Sequence, residues 1–133
     1  MEIKIQTKKL NFFYGDHQAL FENDLIIPTN QITAVIGPSG CGKSTHLRVY
    51  NRIFELYRDQ RAEGEVLIDG KNILEPDVDV LELRRKVGMI FQKPTPFPMS
   101  VFDNTAYPLR LHYKLDKKKI AERVEQSLRG ASL

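Results

Sequence analysis

Ile3, Ile5 and Thr7 alternate with Glu2, Lys4, Gln6 and Lys8, the two-residue period of a strand with one covered face. The pattern runs on through Leu10-Asn11-Phe12-Phe13-Tyr14 and breaks at Gly15-Asp16. A second strand is expected at Leu25-Ile26-Ile27, ended by Pro28, with Thr29-Asn30 turning the chain into a third at Ile32 to Ile36. The period then changes. Leu47, Tyr50, Asn51 and Phe54 fall at helical spacing, which predicts a helix from Lys43 to about Leu56.

After the polar stretch from Arg58 to Glu63, Glu65 to Ile68 and Lys71 to Leu74 flank Asp69-Gly70, a dipeptide suited to the left-handed backbone of a two-residue hairpin turn. That turn chemistry accounts for Asp69 better than a metal-orienting role at a strand end, because glycine and not glutamate follows it. Val80, Leu81, Leu83 and Val87 predict a short helix, and Val87 to Phe91 a further strand. The prolines at 94, 96 and 98 hold the segment from Gln92 to Met99 extended. Ser100 or Asp103 is expected to cap a helix from Val101 that Pro108 interrupts. Asp116 caps a last helix, whose Ile120, Val124 and Leu128 make a one-sided stripe ending at Gly130.

Short strands interleaved with helices indicate an α/β chain, and 133 residues are enough for one modest domain and its core, with no second one. Twenty basic against 17 acidic residues leave a net charge of +3, too mild to argue for nucleic acid. The lone cysteine, Cys41, excludes a disulfide and favours a reducing, cytoplasmic setting. No apolar run reaches the length of a membrane span, and the first residues lack the apolar core of a signal peptide, so membrane association is expected to come through a partner.

The chemistry is concentrated in Gly37-Pro38-Ser39-Gly40-Cys41-Gly42-Lys43-Ser44-Thr45, which follows an apolar run and opens a helix. Glycines at those positions let successive backbone N–H groups turn inward around a phosphate, and the helix presents its positive end to the same point. Lys43 then reaches the outer phosphates and the Ser44 hydroxyl is a ligand for Mg²⁺. A plain glycine-rich turn has no need of Lys-Ser directly after its last glycine. Among the histidines, His46 is expected on the helix surface or satisfied in the interior, and His17 and His112 on the surface. Lys117-Lys118-Lys119 open a helix, where positive charge is mildly unfavourable; a solvated face is the default expectation for them, and contact with lipid headgroups the alternative.

With this loop and the string Val87-Gly88-Met89-Ile90-Phe91-Gln92-Lys93-Pro94-Thr95-Pro96-Phe97-Pro98-Met99-Ser100-Val101, the chain resembles the N-terminal part of an ABC transporter ATP-binding subunit and is similar to the phosphate-importing members of that family. The resemblance runs from about Ile3 to the last residue. It implies an incomplete RecA-like P-loop NTPase core with an antiparallel β-subdomain and the start of a helical subdomain, residues 1–133 being the N-terminal part of one nucleotide-binding domain. It implies ATP and Mg²⁺ as cofactors, and an ATPase that powers phosphate import from the cytoplasmic face of the cell membrane. Tyr14 matches the aromatic residue on which adenine stacks, although a core tyrosine with Phe12 or Phe13 is the competing reading. Gln92 matches the glutamine that touches Mg²⁺ or the attacking water. The region from Gln92 to Met99 would meet the membrane permease subunits, and the complete protein would work as a homodimer.

The family's hydrolysis needs a Leu-Ser-Gly-Gly-Gln signature, an apolar strand ending in Asp-Glu and a switch histidine, and none of the three stands in this sequence. The expectation is therefore a truncated ATPase that grips ATP without cleaving it. Two alternatives remain open on the sequence: a soluble phosphate-loop kinase or GTPase, and a non-catalytic nucleotide-binding module.

Overall fold

The computed structural model describes all 133 residues, which form two compact units, residues 1–89 and 90–133. In the first unit the strands β1 (Ile3–Tyr14), β2 (His17–Pro28), β3 (Gln60–Ile68) and β4 (Lys71–Asn72) make one sheet in the order β2-β1-β3-β4, antiparallel throughout. The first two strands are one long hairpin folded at Gly15-Asp16, so β2 begins well before the apolar triplet that announces it. Alternation along β1 sends Leu10 and Phe12 to the covered face, where both are fully buried. Leu20 from β2 and Val66 from β3 join them, and α1 (Lys43–Val49) and its continuation cover this layer with Val49, Tyr50 and Phe54. The rings of Phe12 and Phe54 meet edge to face at 5.4 Å, and burying side chains of this size contributes about 1.5–3 kcal/mol each.

The Asp69-Gly70 turn falls where the sequence puts it, although β3 already starts at Gln60, within the expected polar stretch, and β4 ends at Asn72. Asp69 and Gly70 have φ of 51° and 79°, the left-handed pair of a tight hairpin. Asp69 is further occupied by an ion pair with Lys4 at 2.9 Å, which leaves it a turn residue. Where β1 bulges, Lys9 takes φ 48° and gives its N–H to Asp24 at 2.7 Å. The facing β3 residue is Gly64 at φ 104°, where a Cβ would run into the Lys9 carbonyl oxygen.

Three expectations are corrected. The helix from Lys43 does not reach Leu56: α1 stops at Val49, Arg52 turns left-handed at φ 57°, and a short 3-10 turn covers Ile53–Leu56. The break is held by a buried guanidinium, because Arg52 donates to the carbonyls of Ile73 at 3.1 Å and Glu75 at 3.2 Å and pairs with Glu55 at 2.6 Å. Arg84, on α2 (Val80–Lys86), caps the freed carbonyls of Asn51 at 3.2 Å and Arg52 at 3.0 Å. Second, neither Ile32 to Ile36 nor Val87 to Phe91 joins a sheet, since no strand of this chain lies alongside to complete a ladder. Ile32 and Ile90 are fully exposed as a result.

Third, Pro108 does not interrupt its helix. In the second unit α3 (Val101–His112) runs through it with Pro108 on the exposed side, where the Asn104 carbonyl that loses its donor can meet water. Ser100 caps α3 by accepting from the Asp103 N–H at 3.0 Å. Asp116 caps α4 (Lys117–Gly130) by accepting from the Lys119 N–H at 2.8 Å. The two helices bury Ala106, Ile120 and Val124 against each other.

Candidate nucleotide-phosphate site

The loop Gly37–Thr45 lies against β2 and leads into α1. Gly42 takes φ 101° and touches that strand so closely that a Cβ there would meet Leu20 Cδ2 at 2.8 Å. Gly40, at φ 80°, faces open space. The first glycine thus seats the loop on the sheet, and the second leaves its rim free for a ligand. Gly37 is closely packed, since a Cβ there would stand 2.8 Å from Cys41 Sγ.

Lys43 bends back over the loop. Its Nζ donates to the carbonyls of Gly37 at 2.6 Å and Pro38 at 2.8 Å and lies 3.6 Å from Cys41 Sγ. An ammonium whose partners are two loop carbonyls and a thiol, all uncharged, and that is still part-exposed is available to an anion, which offers a stronger, charge-assisted partner. The two hydroxyls after it are sorted by burial. Thr45 is buried and its Oγ1 lies 2.7 Å from the Tyr14 hydroxyl, whereas Ser44 is exposed and lines the cleft. Ser44 is therefore the hydroxyl that fits a metal ion carried in with phosphates. No group of three or more His, Cys, Asp or Glu side chains is placed to hold a metal by itself.

The cleft, about 570 Å³, is lined by Tyr14, His17 and Ala19 from the first hairpin and by loop residues from Ser39 to Thr45. Alternation brings Tyr14 there, since it follows Leu10 and Phe12 on the same face of β1 and is the last of the three, at the sheet end that α1 reaches. The neighbouring aromatics are accounted for otherwise. Phe12 is core, with its ring 5.0 Å from Tyr14, and Phe13 lies under the Arg61 guanidinium at 3.9 Å. His17 is exposed, as its surface reading expects, and it also lines the cleft, directly opposite Tyr14 in the hairpin register. A second cavity, about 620 Å³ beneath β4 and α2, shares no residue with this cleft.

His46 is interior. It is buried with Nδ1 2.7 Å from the Tyr50 hydroxyl, and burial holds its pKa below the ordinary histidine value while pushing the Tyr50 phenol up. Gln92 belongs to the second unit, exposed and outside any helix or strand. The proline segment after it is fixed by Asn104, whose carboxamide accepts from the Phe97 N–H at 2.9 Å and donates to the Phe97 carbonyl at 3.1 Å. The Phe97 ring rests on Tyr107, the centroids 5.3 Å apart.

A glycine loop that seats a lysine and an exposed serine at the head of a helix, beside an antiparallel sheet, defines a phosphate-loop fold of α/β class. The family model described as ABC transporter matches residues 20–133, and the chain belongs to that family. Among solved structures it is similar to cbiO1 from Clostridium perfringens, part of the ABC transporter complex cbiONQ, with a TM-score of 0.79 and 28% identity. That match covers 97% of this chain and 50% of the other, so the chain spans half the length of the structure it resembles. Family membership sets aside the soluble kinase or GTPase alternative. No helix of the chain is long and apolar enough to cross a membrane.

Proposed function

We propose that the cleft beside Gly37–Thr45 binds Mg²⁺-ATP for an ABC importer, and that the cargo of that importer is inorganic phosphate. The observation that carries the nucleotide reading is the disposition of Lys43 and Ser44, one amine held only by uncharged groups of the loop and one exposed serine lining the cleft. In this reading the loop N–H groups and Lys43 hold the phosphates, Ser44 ligates Mg²⁺, and the adenine ring stacks on Tyr14. Gln92 serves the metal and the attacking water. The segment from Gln92 to Met99 meets the membrane permease subunits, and the complete protein dimerises so that a second copy closes the site. The subunit sits peripherally on the cytoplasmic face of the membrane. Residues 1–133 are the N-terminal part of one nucleotide-binding domain, and this sequence holds no signature motif and no water-positioning Asp-Glu pair. The chain therefore binds ATP without turning it over.

Titration calorimetry with Mg²⁺-ATP tests the binding: saturable heat is expected for the chain and none for Lys43→Ala. Steady-state hydrolysis above the Lys43→Ala level would overturn the inactive reading. The phosphate cargo is supported by the likeness of Gln92 to Val101 to phosphate-importing members. It is tested by co-purification with the permease subunits of a phosphate importer, against those of an importer of another cargo as the control.

A further inference from the structure

The two units differ in charge. Residues 1–89 carry 12 basic and 13 acidic side chains, a net of −1, while residues 90–133 carry 8 and 4, a net of +4. Within the second unit Arg110 pairs with Asp103 at 3.0 Å and Arg129 with Glu125 at 2.7 Å, but its lysines make no ion pair. Four of them, Lys114, Lys117, Lys118 and Lys119, are exposed and crowd the connection between α3 and α4. Three open α4, where the unpaired N–H groups of the first turn repel positive charge. Asp116 accepts the Lys119 N–H there and is the single acid in that stretch. Beside these lysines Leu111 is 63% exposed and Tyr113 47% exposed. Exposed lysines that follow an exposed apolar and an exposed amphipathic side chain along the same connection suit an anionic bilayer surface, which takes the charges at its headgroups and the side chains between them. A nucleic-acid backbone would use the lysines and leave Leu111 without a partner.

We propose that the α3–α4 connection is a docking surface for anionic lipid headgroups, centred on Lys114 and Lys117–Lys119. This reading is independent of the nucleotide site. Each lysine near an anionic leaflet raises partitioning about fivefold, so four together contribute on the order of several hundredfold. The test is cosedimentation of the whole chain with phosphatidylcholine vesicles containing about one third phosphatidylglycerol, at low salt, with pure phosphatidylcholine as the reference. Binding is expected only with phosphatidylglycerol, weakening as salt is added, and lost in K114Q/K117Q/K118Q/K119Q. Removing cations from the first turn of α4 favours the helix, so circular dichroism should show that variant folded and keep loss of binding from being ascribed to unfolding. K8Q/K9Q, which removes two exposed lysines of β1, should bind as the parent does. Equal binding to both vesicles, binding retained in the fourfold variant, or binding of duplex DNA with none to the vesicles would each overturn the proposal.

Discussion

The Tyr14 hydroxyl and Thr45 Oγ1 lie 2.7 Å apart, joining the end of the first strand to the first turn of the helix that follows the phosphate loop. One residue thereby lines the cleft and ties its two walls. The two roles separate by substitution. Tyr14→Phe keeps the ring and strands the buried Thr45 hydroxyl, which lowers stability by about 1–2 kcal/mol while leaving ATP affinity nearly unchanged. Tyr14→Ala removes the ring as well and weakens binding by about 1–3 kcal/mol if adenine stacks there. Thermal melting and titration of a fluorescent ATP analogue read the two effects, and equal affinity in both variants would remove Tyr14 from the nucleotide site.

Gly42 and Gly40 are both left-handed but differ in what surrounds them. An alanine at Gly40 meets only the backbone penalty, about 1–2 kcal/mol. At Gly42 the new methyl also presses on Leu20, adding about 1–3 kcal/mol of overpacking. Gly42→Ala should therefore melt several degrees below Gly40→Ala, a ranking that differential scanning fluorimetry checks.

How far the sequence disclosed this arrangement depends on the range of each signal. The loop, the Asp69-Gly70 turn and the Ser100 and Asp116 caps are set by residues within a few positions of one another and were legible. The Arg52 break was not, because its guanidinium is held by carbonyls about twenty residues on, at Ile73 and Glu75. The runs at Ile32 and Val87 read as strands from their composition, but a strand exists only by pairing, and no pairing partner stands beside them here. Tyr14 was ambiguous among three aromatics, since alternation gives it the same face as Phe12 and only the placement of α1 tells them apart.

Burial holds the His46 pKa below its unfolded value, so the unfolded chain binds more protons than the folded one as pH falls through the ordinary histidine range. The neutral ring's contribution is present above the unfolded pKa of about 6.5 and is lost as pH drops below it toward the folded value. Protonation also forces Nδ1 to be the donor in its bond to Tyr50. The melting temperature should fall from pH 7 to pH 5, and His46→Gln should flatten that slope. An unchanged slope would point to another titrating group.

Ile32 and Ile90 stand fully in solvent on extended segments. Exposed apolar strand-like segments bind hydrophobic dyes and one another. Ile32→Lys with Ile90→Lys should lower dye fluorescence and concentration-dependent association, and should change stability by no more than about 0.5 kcal/mol. Dye binding unaltered by the pair would place the sticky surface elsewhere.

The Arg52 and Arg84 guanidiniums together anchor the carboxyl end of α1, one reaching forward to the hairpin exit and the other back from α2. A short rod clamped at its far end does not slide when something arrives at its near end. Adjustment on ligand arrival is then expected in the loop around Gly40, which faces open space, with the arginine clasp as its fixed base.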